Sequence, residues 1–141
     1  MALTWITDSD LMQGVMNATY LIGNDYEIAM ITKRIKITEK ELVKKGIGVI
    51  TTLGEKGVQS RHLVQNSAHI PAVKVEKVVD PTGAGDGFRG GFMVALAAGY
   101  DMIDCLRIGN VVASFAIEKY GTVNYKISKG EFEKRIKAIT S

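Results

Sequence analysis

The stretch VVDPTGAGDGFRGGF, residues 78–92, sets three small residues and a carboxylate between a β-branched run and an apolar, helix-like segment. That order suits anion chemistry, because the first N–H groups of a helix lack intrahelical acceptors and lie at the positive end of its dipole. Gly83, Ala84 and Gly85 carry little bulk, so an anionic oxygen can approach their backbone. Asp86 is the odd member. A carboxylate beside an anion site is unfavourable unless it has a task, and one task is to take the proton of a hydroxyl that attacks phosphorus. The plainer alternative is that Asp86 only N-caps the helix and the glycines only make a turn, since Asp is among the best caps.

A second reading of the same residues is a dinucleotide fingerprint. Gly85, Gly87 and Gly90 match G-x-G-x-x-G after a strand. That fingerprint needs a further parallel strand with an acidic residue about 20 residues on. Asp101 and Asp104 fall instead at the start of another helical stretch, and close helix packing accounts better for Gly87 and Gly90. The sequence holds no G-x-x-x-x-G-K-[ST], which excludes the Walker-type loop. A dinucleotide-binding oxidoreductase domain and a non-catalytic interaction module stay as alternatives at this point.

The run from Asp80 to Asp86, with the Gly-Phe-Arg-Gly-Gly that follows, resembles the signature of the ribokinase-like (PfkB) carbohydrate and nucleoside kinases. Asn24-Asp-Tyr-Glu27 resembles that family's N-x-x-E motif, and Thr52-Leu-Gly-Glu-Lys-Gly57 its T-x-G-x-x-G nucleotide loop. All three occur in the family's order, across essentially the whole chain. The Pro81 variant and Phe88-Arg-Gly-Gly-Phe92 are most similar to bacterial adenosine-kinase-type members.

The resemblance implies an ATP-dependent kinase with a nucleoside or sugar hydroxyl as acceptor, on an α/β fold of three α/β/α layers. It implies Asp86 as general base and the backbone of Gly83, Ala84 and Gly85 as anion hole. Asn24 and Glu27 would hold Mg²⁺ through its waters, consistent with a cation that keeps most of its hydration. Thr52, Gly54 and Gly57 would line the ATP phosphates and ribose, and Asn110, with Ala113 and Ser114, the adenine pocket. Many members bind a monovalent cation such as K⁺ at groups matching Asp80 and Thr82. Arg89, one turn after Asp86, either reaches phosphate or pairs with Asp86 or solvent. His62 and His69 read as structural or exposed.

These residues need elements to hold them. Asp8 or Ser9 is expected to cap a helix through Ala18, followed by a strand at 19–22 and a short helix at 25–31. Thr38 to Glu41 reads as a capping box for a helix through Lys45 that stops at Gly46. Strands are expected at 47–52, 58–64 and 72–79, with a turn at 54–57 and an Asn66-Ser67 connection. Helices follow at 86–98 with Gly99 as stop, from an Asp101 cap to about Tyr120 with Gly121 as stop, and from a Ser128-to-Glu131 box to about Ile139. Met12, Met16, Met30, Met93 and Met102 read as core fillers, and Cys105 as a small buried hydrophobe.

Composition narrows the class without naming a reaction. The 141 residues are 46% hydrophobic and 23% charged, which is ordinary for one globular domain. The net charge of +3 comes from dispersed basic residues without interleaved aromatics, arguing against nucleic acid. No apolar run matches a membrane span, and a single cysteine suits a cytoplasmic protein. Members of the family usually run to about twice this length. The expectation is therefore one partial domain over residues 1–141, holding the ATP site and catalytic loop but lacking the N-terminal substrate half and lid. Such a piece is expected to be inactive alone and to self-associate through an exposed sheet edge.

Overall fold

The computed structural model describes residues 4–65 and 67–140, so Asn66 of the expected connection lies outside the described residues. The chain forms α1 (Asp8–Met16), β1 (Tyr20–Asn24), α2 (Asp25–Ile35), α3 (Glu39–Lys44), β2 (Gly48–Thr52), β3 (Val58–Arg61), β4 (Ala68–Ile70), α4 (Ala84–Ala97), α5 (Met102–Ala116) and α6 (Lys129–Thr140). Short 3₁₀ turns occupy Gly54–Lys56 and Pro81–Gly83. The class is α/β, as the sequence implies, with strand order β1-β2-β3-β4. Two compact units emerge, one of residues 1–52 and 59–68, the other of 53–58 and 69–141.

In the first unit β1 and β2 pair in parallel, with Tyr20 opposite Gly48 and Asn24 opposite Thr52. A parallel pair needs a crossover, and α2 and α3 supply it. The amphipathic spacing of α2 puts Ile28, Ile31 and Ile35 into a core with Leu11, Val15, Leu42 and Val49. The predicted capping box at Thr38 is present in both directions, Glu41 N–H to Thr38 Oγ1 and Thr38 N–H to Glu41 Oε2. The Thr38 N–H, then the Thr38 hydroxyl at 2.7 Å from the same Oε2, hold the Glu41 carboxyl below its ordinary value. At α1 the cap is Thr7, whose Oγ1 accepts from Asp10 N–H, rather than Asp8 or Ser9. The helix after β1 runs past the expected Ile31 to Ile35, where Lys36 ends it with φ of 56°.

The second unit is dominated by α4 and α5, which pack with very little separation. A Cβ on Gly91 would stand 2.7 Å from Val112 Cγ2, and one on Gly109 2.7 Å from the Phe88 ring. Gly87 is similarly tight against Ala116, at 3.2 Å. Gly90, expected to serve close packing, has nothing within 4 Å, so the crowded position is its neighbour Gly91. Phe88 and Phe92 stack along α4 with centroids 6.0 Å apart and are fully buried. Cys105 is buried as expected, and desolvation pushes its thiol pKa up. Val73, Val111 and Phe115 form a second cluster, covered by Phe132, Ile136 and Ile139 of α6.

Three expectations fail here. The 72–79 run is not a strand, because Val79 and Asp80 both donate to the carbonyl of Ile117 beyond the end of α5, not to a sheet partner. Its β-branched residues serve a cavity wall and the α5–α6 cluster instead. The 58–64 strand stops at Arg61, where the His62 ring nitrogen Nδ1 accepts the N–H groups of Val64 and Gln65 and turns the chain. Met93 is 56% exposed and fills no core, whereas Met12 and Met16 pack against the first unit's cluster.

The glycine pair on α4 gives a direct test. Gly91→Ala is expected to cost about 1–3 kcal/mol through overpacking against Val112. Gly90→Ala is expected to gain about 0.5–1 kcal/mol through helix propensity alone. Urea unfolding of the two variants measures both, and equal shifts would refute the packing asymmetry.

Candidate functional site

The motif that opens α4 begins with Asp80. Its Oδ1 accepts the Thr82 N–H at 2.9 Å and its Oδ2 accepts the Gly121 N–H at 3.1 Å. The Thr82 hydroxyl, then these two amides, hold the Asp80 carboxyl below the usual carboxylate range. Pro81 starts the 3₁₀ turn, a position where its missing N–H is no loss. The clasp on Gly121 brings the next residue over Gly83, where a Cβ would stand 3.1 Å from Thr122 Cα. Gly83 is therefore small to admit its own chain.

Ala84 and Gly85 differ from Gly83 in what they face. Ala84 lines a cavity, and its N–H donates to the Pro81 carbonyl. A Cβ on Gly85 would meet only Arg89 Nη1, at 3.6 Å. The N-cap of α4 is Gly83, with no side-chain capping bond. Asp86 is thus the third residue of the helix, which overturns the capping alternative. Its side chain is 68% exposed and its Oδ1 accepts from Arg89 Nη1 at 3.3 Å. A pair this long and exposed contributes little energy and leaves the carboxylate accessible.

The cavity beside this loop measures about 600 Å³ and lies within the second unit. Gly54, Val73, Pro81, Ala84, Asn110 and Ser114 help to line it, as does Ala113, so the expected adenine wall and one glycine of the nucleotide loop do meet. Gly54 has φ of +58° and open space around it. Gly57 is different: its φ is +94°, and a Cβ there would fall 2.0 Å from the Ile70 carbonyl oxygen. The backbone of Ile70 thus requires glycine here, and the Gly57 carbonyl accepts the Leu53 N–H at 2.8 Å. His69, read as structural or exposed, is exposed and bonds the Lys56 carbonyl through Nε2.

Asn24, Glu27 and Thr52 meet in the first unit, at the carboxyl ends of β1 and β2, where open α/β sheets usually hold ligands. Asn24 Oδ1 accepts the Glu27 N–H at 2.7 Å, and Glu27 Oε2 accepts the Asn24 N–H at 3.0 Å. Gly23 makes room, since a Cβ there would stand 3.1 Å from Glu27 Oε2. Thr52 Oγ1 donates to the Gly23 carbonyl at 3.4 Å. These two acceptors are engaged in a capping box, yet a carboxylate has about four lone-pair sites. The pair therefore fits a cation held through water better than one bound directly. Among the described residues no cluster of three or more His, Cys, Asp or Glu could hold a metal.

One contributor escaped the sequence. Arg135 of α6 donates from Nη1 to Ser114 Oγ at 2.8 Å, and so stands behind the cavity wall. Its only sequence signal is the i,i+4 spacing to Glu131, which reads equally well as a surface pair.

Known proteins resemble this chain over most of its length. The family model described as pfkB family carbohydrate kinase matches residues 2–129. Nucleoside kinase of Methanothermobacter thermautotrophicus is 37% identical over 133 residues, covering 92% of this chain and 41% of the relative. Ribokinase of Bacillus subtilis is 34% identical over 117 residues, covering 83% and 39%. The structure of Burkholderia thailandensis nucleoside kinase in complex with ADP-inosine superposes with a TM-score of 0.91 at 30% identity, covering 99% of this chain and 43% of its own. The chain spans about two-fifths of the length of the curated relatives it matches. No strand follows α4 among the described residues, as a dinucleotide fold would require; α5 does.

Two predictions follow from the geometry. Gly57→Ala should destabilise the protein by about 3 kcal/mol or more, from steric clash plus left-handed strain, while Gly54→Ala should cost about 1 kcal/mol. Thermal unfolding separates them, and similar costs would mean that the Ile70 approach relaxes freely. The Asp80 clasp should be pH-dependent. A carboxyl held low contributes stability above its ordinary pKa of about 4 and loses it as pH falls through the depressed value. Asp80→Asn should therefore lower Tm and speed exchange of the Gly121 amide at pH 7, with the difference from the parent closing in acid. A constant difference at every pH would rule out the charged clasp.

Proposed function

The chain belongs to the pfkB family of carbohydrate kinases, and from that premise we propose that it is the phosphate-handling part of an ATP-dependent phosphotransferase acting on a hydroxyl of a nucleoside or sugar. One observation carries this reading most directly. The start of α4 has no side-chain cap, its third residue is an exposed carboxylate, and it borders a cavity of nucleotide size. The amides of Gly85 and Asp86 are the donors suited to the transferring phosphoryl group. That moves the Gly83-to-Gly85 anion hole of the resemblance toward Asp86, because the Ala84 N–H donates to Pro81 and Gly83 is buried beneath Thr122.

Phosphoryl transfer asks the protein mainly for positioning and for a place to put negative charge. The acceptor O–H gives its proton to the Asp86 carboxylate as its oxygen bonds the γ-phosphorus. The bond from that phosphorus to the bridging oxygen breaks, and ADP leaves with the electron pair. Arg89 orients the carboxylate between turnovers. Mg²⁺, when bound, supplies charge neutralisation at the phosphates, and Asn24 and Glu27 would hold its waters. The lone pairs left on the Asp80 carboxylate, with Thr82, would accept a monovalent cation such as K⁺. A nucleoside acceptor is placed ahead of a sugar, because nucleoside kinases are among the relatives and the solved structures most similar to this chain.

Titration of the chain with ATP, followed by coupled ADP release with adenosine and with ribose, tests the reading. Gly85→Val should abolish ATP binding without unfolding the chain, since the position has room for a side chain. In a full-length kinase that carries this loop, Asp86→Asn should lower turnover by about 10²–10⁴-fold with ATP affinity unchanged or improved. Unaltered ATP binding by Gly85→Val would place the phosphates elsewhere. Loss of binding with full turnover in Asp86→Asn would remove it as the base.

A further inference from the structure

The first unit gathers cations that the sequence scatters. Lys33 comes from the last turn of α2, Lys36 from the cap that ends it, Lys40 from α3 and Arg61 from the end of β3. All four line one open hollow of about 550 Å³. Glu39 is the one carboxylate among its lining residues. It accepts from Arg61 Nη1 at 3.1 Å, which leaves the other N–H groups of that guanidinium available. The side chains of Lys33, Lys36 and Lys40 make no hydrogen bond or ion pair among the described residues, whereas Arg34 on the same helix is held by Asp8 at 2.7 Å.

Lys36 stands there under strain. Its φ of 56° and ψ of 35° are left-handed, and it is the only non-glycine residue with positive φ among the described residues. Helices that end this way usually do so on Gly or Asn, because a Cβ is disfavoured in that region. The Lys36 N–H closes the helix on the Thr32 carbonyl, a bond that glycine would make with less strain. Lysines in a last turn answer the helix dipole, which accounts for Lys33. The dipole does not call for a long cation in left-handed backbone. Conformations of this kind gather at ligand sites.

We propose that this hollow binds a small polyphosphate, at a site separate from the Asn24 and Glu27 pair and independent of the cavity in the second unit. The α2 helix starts beside Asn24 and rises about 1.5 Å per residue, so Lys36 lies roughly 16 Å along its axis from Asp25. Four cations against one carboxylate leave three positive charges in excess. One phosphate group carries about −1.5 to −2. Two or three linked phosphates therefore match the hollow better than one. Ammonium groups on flexible stems meet phosphate as point charges and demand no single geometry. The open mouth suits a ligand that keeps part of its hydration. Inorganic polyphosphate and the phosphate tail of a nucleotide share this chemistry.

Titration of the isotope-labelled 141-residue chain with inorganic pyrophosphate and with ATP, followed by amide shifts at about 0.15 M salt without divalent cations, tests this. Saturating shifts at residues 33–40 and at Arg61 are expected with both. Equal affinities assign the site to free polyphosphate, and tighter binding of ATP assigns it to a nucleotide tail. Lys36→Gly should weaken pyrophosphate binding about two- to fivefold, the size of one exposed ion pair, without lowering Tm. Lys33→Ala combined with Lys40→Ala should weaken it by about tenfold. Gly85→Val, aimed at the other phosphate site, should leave these shifts unchanged. Shifts that grow linearly without saturating overturn the proposal, as a diffuse counterion atmosphere. Shifts confined to residues 83–86 overturn it too, while upholding the loop before α4. Affinity equal to the parent's in Lys36→Gly removes the role given to the strained lysine. If a variant fails to fold, the parent's own titration still decides whether the site exists.

Discussion

The contact between α4 and α5 is the constraint on which the second unit turns. Gly91 and Gly109 carry no side chain because a Cβ at either would stand 2.7 Å from a neighbour, Val112 in one case and Phe88 in the other. The close approach lets Phe88 and Phe92 seal the interface completely. It also fixes where the first turn of α4 stands with respect to the middle of α5. Asp86 and Ala84 sit on one side of that relation, Asn110 and Ser114 on the other. Close-packed interiors deform little, so a site split between two such helices keeps its geometry without any direct bond across it.

Several carboxylates at the starts of helices and turns act on the backbone. Asp80 gathers the amides of Thr82 and Gly121, Glu41 returns to Thr38, and Glu27 returns to Asn24. Each satisfies donors that a helix start or a turn would otherwise leave orphaned. Asp86 breaks this habit. It occupies a first turn where a carboxylate is favoured by the helix dipole, yet it caps nothing and faces solvent and Arg89. A charged group at a helix start with no structural duty is a reasonable place to look for chemistry.

The small residues of the loop illustrate why a motif is not a single device. Gly83 yields to Thr122, Ala84 borders the cavity, and Gly85 faces open space. Gly57 and Gly54 divide in the same way, one crowded by a carbonyl and one free. Only Gly85 and Gly54 leave room that a ligand can use. Gly83 and Gly57 are small because the chain itself comes close.

Local rules carried far into this protein. The boxes at Thr38 and Asn24, the caps at Asp101 and Ser128 and the helix stop at Gly99 depend on residues three or four apart. So does the loop-to-helix start around Asp86, and the α/β class with its family resemblance was legible for that reason. What the sequence could not disclose depends on partners far along the chain. Residues 72–79 look like a strand until Ile117 claims the amides of Val79 and Asp80. Gly90 and Gly91 are indistinguishable until Val112 is set against one of them. Asn110 and Ser114 read as ordinary helix residues until the carbonyls of Ile70 and Pro71 and the guanidinium of Arg135 are brought to them from far along the chain. Residue type sets how many bonds a side chain can make; only the tertiary structure, by deciding which are already used, leaves the remainder to a ligand.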